Sequence, residues 1–232
     1  MFSSIPFLII NNQIEPCEEK KMPFTNLVGV RENFPNLRVT FINGILNTPE
    51  DCRLTAGYIS ARFGFTNVHF VCDPTLGALK DLCDSGKLLV LEEKLESIYL
   101  LRALWRARLN EMEDDGHVIH IAHSKGGLVT ELALKLLSEE EKKRVIVYSL
   151  GSPGIIPPET NPYSKNISNT RDLVPLANPW KWFYYLFPQE NDKIIEAKDP
   201  LFEHSILALA YASEISAIAD ECFSRFCRDN TK

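Results

Sequence analysis

Ser124 is the residue whose setting most invites nucleophilic chemistry. An apolar run from His117 to Ala122 ends at His123, one serine follows, and a helical pattern with two glycines begins at once (HVIHIAHSKGGLVTELALKLL). A serine on such a strand-to-helix turn projects its hydroxyl above a sheet, beside a helix N-terminus that favours negative charge. The turn requires small residues two places before and after the serine. Ala122 and Gly126 occupy those places, in an Ala-His-Ser-Lys-Gly pattern where glycine is the commoner first residue. Gly127 lets the helix approach the strand. Serine is also a strong helix cap, so the plainer alternative is that Ser124 only caps this helix.

The elements that would position Ser124 follow from periodicity. Leu37 to Ile42 reads as a strand, ending at Asn43-Gly44. A helix starts with Thr48 as cap, Pro49 at its first position and Glu50 and Asp51 in its first turn, and stops at Gly64. Asn67 to Cys72 is the next strand, ended by Asp73-Pro74. From Leu88 to Glu113 a long helical stripe places Leu91, Leu95, Ile98, Arg102, Trp105, Leu109 and Met112 on one face. Strand 117–122, helix 125–137 and strand 144–150 follow, then weaker strands near 165–170 and 193–197, and a closing helix over 201–226. Strands alternating with helices predict an α/β class with a mostly parallel sheet, helices on both faces and chemistry at the carboxyl ends of the strands.

The segment around Ser124 resembles the nucleophile elbow of the α/β-hydrolase superfamily, particularly its lipase and esterase branches. Ile42-Asn43-Gly44-Ile45 is similar to the oxyanion-loop position of that family. Leu150-Gly151-Ser152-Pro153 resembles the Gly-Ser-Pro turn of fungal-type lipases, and Arg171-Asp172-Leu173-Val174-Pro175 resembles their Asp-x-Val-Pro segment. The likeness covers about residues 37 to 225. The whole chain also resembles uncharacterised hydrolase-like proteins of Chlamydia-related intracellular bacteria. What the resemblance implies is an α/β-hydrolase fold, with a twisted and mostly parallel sheet, acting as a serine hydrolase on carboxylic esters.

A serine hydroxyl needs a base within hydrogen-bond reach, and the base needs an orienting group. In the family the chain order is serine, acid, histidine. Of the five histidines, His69, His117, His120, His123 and His204, only His204 lies after Ser124. Asp172 is the implied acid, with Asp192 and Asp199 as rivals. The oxyanion donors would be the backbone N–H groups of Ile45 and of Lys125, the residue after the serine. The Lys125 side chain could steer an anionic substrate, pair with a carboxylate, or stand solvated on the first turn.

Other signals weigh less. His117, His120 and His123 form H-x-x-H-x-x-H, but on a strand residues three apart point to opposite faces, so three metal ligands cannot converge. No metal or organic cofactor is expected. The run Asn178 to Pro188 is unusually aromatic, with Trp180, Trp182 and Tyr184. It reads either as an acyl-binding wall or flap in peripheral contact with lipid, or as an irregular segment packed on the sheet edge. The competing functional class is a catalytically inactive hydrolase fold used as a binding or host-interaction module.

The bulk numbers set the outer bounds. The chain has 232 residues, 45% apolar and 24% charged, with net charge −6 and pI near 5.5. No basic block tracks a phosphate backbone, so nucleic acid is a poor partner, and a small-molecule or lipid ester is the expected one. The six cysteines show neither C-x-x-C pairing nor metal-ligand rhythm and read as reduced thiols. Ile5 to Ile10 lacks the flanks of a Sec signal, and no run reaches the ~20 apolar residues of a membrane span. A cytoplasmic address, or export by a non-Sec route, is the expectation. Nothing divides the chain, so one domain is expected, with residues 1–36 packed on a hydrolase domain of 37–232.

Trp180→Ala and Trp182→Ala separate the two readings of the aromatic run. Packing on the sheet edge predicts loss of the folded circular dichroism signal. An acyl wall predicts a folded protein with an altered chain-length preference among p-nitrophenyl esters.

Overall fold

The computed structural model of the chain describes residues 8–10, 13–15, 22–44, 47–73, 91–176, 188–196 and 204–226. Strands β1 (Leu8–Ile10) and β2 (Gln13–Glu15) pair antiparallel with each other. The main sheet holds β3 (Phe24–Val28), β4 (Leu37–Ile42), β5 (Val68–Cys72), β6 (His117–His123), β7 (Val145–Leu150), β8 (Ser164–Asn169) and β9 (Asp192–Ile195). Their order is β3-β5-β4-β6-β7-β8-β9, and all pairings are parallel except β3 with β5. Strand β3 lies within residues 1–36, where the sequence marks no strand. Its three central residues are exposed, so no alternating pattern betrays it, and pairing with β5 is what makes it a strand.

The chain leaves β4 toward β5 on one side and returns through β6 on the other, so the strand order reverses between β4 and β6. A crevice opens at the carboxyl ends of strands where this happens. The register puts Ile42 beside Ala122, Ala122 beside Ser149, and Leu150 beside Ile167. Asn43, Ser124, Gly151 and the chain leading to Asp172 are thereby delivered to one rim.

Six helices are described: α1 (Pro49–Arg62), α2 (Leu91–Leu109), α3 (Lys125–Leu134), α4 (Glu139–Lys143), α5 (Leu173–Leu176) and α6 (Leu209–Phe226), of which α1, α2, α3 and α6 pack on the sheet. Alternate strand residues face opposite layers. Val39, Phe41, Ile119 and Ile121 join Ile59 and Phe63 of α1 and Ile215 and Ile218 of α6 in one core. Ile42, Val118, Ala122 and Val147 join Leu101 and Trp105 of α2 and Val129 and Ala133 of α3 in the other. Each large apolar side chain so buried contributes about 1.5–3 kcal/mol. Among the described residues, no helix is long and apolar enough to cross a membrane.

Several boundaries differ from the sequence expectation, each for a local reason. Helix α1 starts as expected: Thr48 Oγ1 accepts from the Asp51 N–H at 3.2 Å and the Asp51 carboxylate accepts from the Thr48 N–H at 2.8 Å. Helix α2 stops at Leu109 rather than Glu113. The Arg144 guanidinium collects the carbonyls of Leu109, Glu113 and Gly116, so a distant side chain satisfies this end. The helix expected over 125–137 ends at Leu134, and Ser138 starts α4 with a second capping box to Glu141. That Ser-x-x-Glu motif was legible in the sequence. The last helix begins at Leu209 rather than 201; residues 204–208 form turns that keep His204 out of it.

His120 lies wholly inside the core between Thr40 and Thr130, with ring nitrogens 2.9 and 3.0 Å from their hydroxyls and the edge of Trp105 beside it. Burial holds its pKa down at about 3, and that of buried His123 likewise at about 3. A buried histidine with a depressed pKa binds fewer protons folded than unfolded. Its stabilisation is therefore complete above pH 6.5 and is lost as pH falls from there toward 3. Urea denaturation from pH 7 to 4 should show stability declining by up to about 1.4 kcal/mol per pH unit for each such histidine. His120→Gln, which cannot take up a proton, should flatten that slope.

Candidate active site

Ser124 does not cap α3. Its backbone sits at φ 54° and ψ −125°, and its side chain makes no cap hydrogen bond. The true caps Thr48 and Ser138 are extended, at φ −77° and −69°, with hydroxyls accepting from the helix. A left-handed φ is costly for a residue with a Cβ and persists only where the surroundings enforce it. Here the Ser124 N–H donates to the Leu150 carbonyl at 2.9 Å, and the Ser124 carbonyl accepts from the Gly127 N–H at 3.0 Å. The expected small neighbours have specific reasons. A Cβ on Gly126 would lie 2.7 Å from the Asn43 carbonyl oxygen, and one on Gly127 would run into Ser152.

The Ser124 hydroxyl is turned instead toward His204. Oγ lies 2.9 Å from His204 Nε2, and His204 Nδ1 lies 2.9 and 3.0 Å from the two oxygens of Asp172. A carboxylate accepts, so Nδ1 carries the proton and Nε2 presents its lone pair to the serine. Asp172 is fully buried, whereas the His204 side chain is 30% exposed. Three residues 80 or fewer positions apart in sequence thus form one hydrogen-bonded chain beyond the carboxyl ends of β6 and β8.

Further residues hold this chain, among them Tyr211 and His123, whose roles the sequence pattern did not give. Tyr211, two residues into α6, donates to Asp172 Oδ2 at 2.6 Å and accepts from the Asn169 N–H at 3.2 Å. The Val174 N–H donates to the other Asp172 oxygen at 3.0 Å. Gly151, at φ 59°, is required here because a Cβ would stand 2.6 Å from Asp172 Oδ2. His123 Nε2–H donates to the His204 carbonyl at 2.8 Å, and its ring lies 4.9 Å from the His204 ring, centroid to centroid. Burial and the neighbouring His204 keep His123 neutral. Its place directly before Ser124 was the available signal; nothing in the sequence pattern marks Tyr211.

The remaining expectations divide. The Lys125 side chain is neither solvated nor free to steer a substrate: its ammonium pairs with Asp73 at 2.8 Å, both being buried. The Lys125 N–H opens α3, where the leading N–H groups have no partner within the helix. Gly44 lies against Ser124, since a Cβ there would be 3.2 Å from its Oγ. Its neighbour Ile45 lies outside the described residues, as do Trp180, Trp182, Tyr184 and Asp199. The rival acid Asp192 sits on β9 and accepts from the Asn166 side chain. His117 and His123 face α6 and its surroundings while His120 faces α2 and α3, so the three rings do not converge.

No protein-family model and no curated relative matches the chain. Solved structures do. An α/β serine hydrolase without a lid from Xanthomonas campestris aligns at a TM-score of 0.50 and 13% identity, over 88% of each chain. The Francisella virulence factor BioJ aligns at 0.54 and 10% identity, over 88% of this chain and 85% of that one. Carboxyl esterase 2 of the mycorrhizal fungus Tuber melanosporum aligns at 0.54 and 10%, over 88% and 87%. None of these three supports the likeness to Chlamydia-related bacteria. At such identities what is shared is architecture, and the chain has the α/β-hydrolase fold.

The Tyr211 hydroxyl donates to the buried Asp172 carboxylate at 2.6 Å. Tyr211→Phe strips a donor from a buried carboxylate and should lower stability by about 1–3 kcal/mol in urea denaturation. An unchanged denaturation midpoint would show that Asp172 finds another partner.

Proposed function

We propose that the protein is a serine hydrolase of carboxylic esters, with Ser124 as nucleophile, His204 as general base and Asp172 as the orienting acid. The observation that carries the reading is the Ser124 Oγ to His204 Nε2 approach of 2.9 Å, with the imidazole's other nitrogen on a fully buried carboxylate. The strained backbone of Ser124 supports it, because a merely structural serine has no need of that conformation. So do neighbours described as a serine hydrolase and a carboxyl esterase on the same architecture.

The reaction follows from where the protons sit. Ser124 Oγ attacks the ester carbonyl carbon while His204 Nε2 takes the hydroxyl proton, leaving an imidazolium that Asp172 stabilises. The oxyanion develops beside the first turn of α3, where the Lys125 N–H donates, with the Ile45 N–H as its partner from the loop after β4. Collapse breaks the bond to the leaving alkoxide, which carries off the proton from Nε2 and leaves an acyl-enzyme. Water then attacks that acyl carbon, gives its proton to Nε2, and releases the acid as Oγ recovers the proton. In this reading the aromatic run 178–188, with Trp180, Trp182 and Tyr184, supplies the acyl-side wall and its contact with lipid esters.

A fluorophosphonate probe should label the wild type at Ser124 and leave Ser124→Ala unlabelled. His204→Ala should lower p-nitrophenyl acetate turnover by a factor on the order of 1000 or more. A well-folded wild type that takes no label would instead favour a binding module.

A further inference from the structure

The mechanism uses the main-chain N–H of Lys125 and leaves its side chain unexplained. The side chain is 6% exposed, and its ammonium lies 2.8 Å from Oδ2 of Asp73, whose side chain is 7% exposed. The same oxygen accepts from Ser97 Oγ of α2 at 3.0 Å. Asn43 clamps the backbone of Asp73 from the other side. The Asp73 N–H donates to Asn43 Oδ1 at 2.8 Å, and Asn43 Nδ2 donates to the carbonyls of Asp73 at 3.3 Å and Gly44 at 2.6 Å. Asn43, Asp73, Ser97 and Lys125 are all buried.

Two ions taken out of water are costly, and their attraction compensates only with good geometry and further hydrogen bonds. A buried pair is therefore weak evidence for stability, and its best-attested use is to fix one arrangement among several. Here it joins the carboxyl end of β4, the carboxyl end of β5, the first turn of α3 and the flank of α2. Of those segments, the end of β4 and the first turn of α3 flank Ser124 directly. Asn43 and Gly44 are pressed against the elbow: a Cβ on Gly44 would lie 2.6 Å from Ser124 Cβ, and one on Gly126 would lie 2.7 Å from the Asn43 oxygen. A small slip of the loop root against α3 would change the spacing between donors contributed from the two sides.

We propose that Asn43, Asp73 and Lys125 form a positioning brace for the oxyanion site, closed from α2 by Ser97. The brace fixes the loop after β4 to the start of α3, so that main-chain donors from both hold one geometry around the developing charge. None of the three side chains touches the reacting atoms; they act through the backbone they hold. The catalytic consequence rests on the ester-hydrolase reading above, whereas the mechanical one does not.

Two full-length variants test it. Lys125→Met with Asp73→Asn removes both charges together, so neither ion is stranded, and Asn43→Ala cuts the clamp while leaving the ion pair. Amide hydrogen exchange of the peptide containing Asn43 and Gly44 reads the brace directly. Fluorophosphonate acylation, with kcat and KM for p-nitrophenyl acetate, reads its consequence. Both variants should stay folded, with exchange at Gly44 faster by about tenfold or more and peptides of β6 and β7 unchanged. Acylation and kcat should fall about 10- to 100-fold, with KM within about twofold of wild type. A purely structural role instead predicts a lower melting temperature, faster exchange throughout the molecule and an unchanged rate per folded molecule. That result overturns the brace, as does exchange and acylation matching wild type in both variants. Should the double variant fail to fold, Asn43→Ala decides alone. A wild type that takes no label sinks the ester-hydrolase reading, and the exchange at Gly44 still decides the brace.

Discussion

A carboxylate with no access to water must find hydrogen-bond donors inside the protein, and around Asp172 the structure is arranged to supply them. His204 Nδ1, the Tyr211 hydroxyl and the Val174 N–H all converge on its two oxygens. An unsatisfied buried charge is among the most expensive defects a fold can carry. Meeting this requirement propagates outward. It keeps residue 204 in a turn ahead of α6, sets Tyr211 two residues into that helix, and excludes any Cβ from Gly151. The His204 imidazole is then held in one tautomer with its lone pair facing Ser124, which is what the proposed chemistry needs at the start of each cycle.

The elbow shows the complementary principle, strain held in place by packing. Ser124 occupies a backbone region that costs roughly 1–3 kcal/mol. Both its main-chain groups are hydrogen-bonded into neighbouring elements, and the glycines at 126 and 127 remove the side chains that would force the turn open. His123 serves the same end from within β6. Its neutral ring, buried beside His204, fixes the carbonyl of the residue it stacks on. The three histidines of β6 thus serve three different neighbourhoods, and the resemblance to a metal motif is an accident of spacing.

Much of this was legible in the residues. The alternation of strand and helix gave the sheet and its parallel sense, and the pattern around Ser124 gave the turn. The family resemblance, through its chain order and its Asp-x-Val-Pro segment, pointed to His204 and, ahead of Asp192 and Asp199, to Asp172. What escaped was consistent in kind. Strand β3 exists because β5 offers it an edge, and α2 ends where the guanidinium of Arg144, from the far side of β6, reaches its carbonyls. Tyr211 and Asp73 carry no motif: the first reads as one more aromatic in an apolar helix, the second as a strand terminator before proline.

The sequence by itself determined most elements from residue 37 onward, the α/β class and the candidate nucleophile, because periodicity, caps and small residues around a turn are local signals carried by neighbours in the chain. Tertiary structure alone decided that Ser124 is not a cap, that the Lys125 charge is buried against Asp73, and that His204 lies between serine and carboxylate. Those facts depend on distances between residues dozens of positions apart, and such distances are set by strand order and register rather than by anything a short stretch of residues encodes.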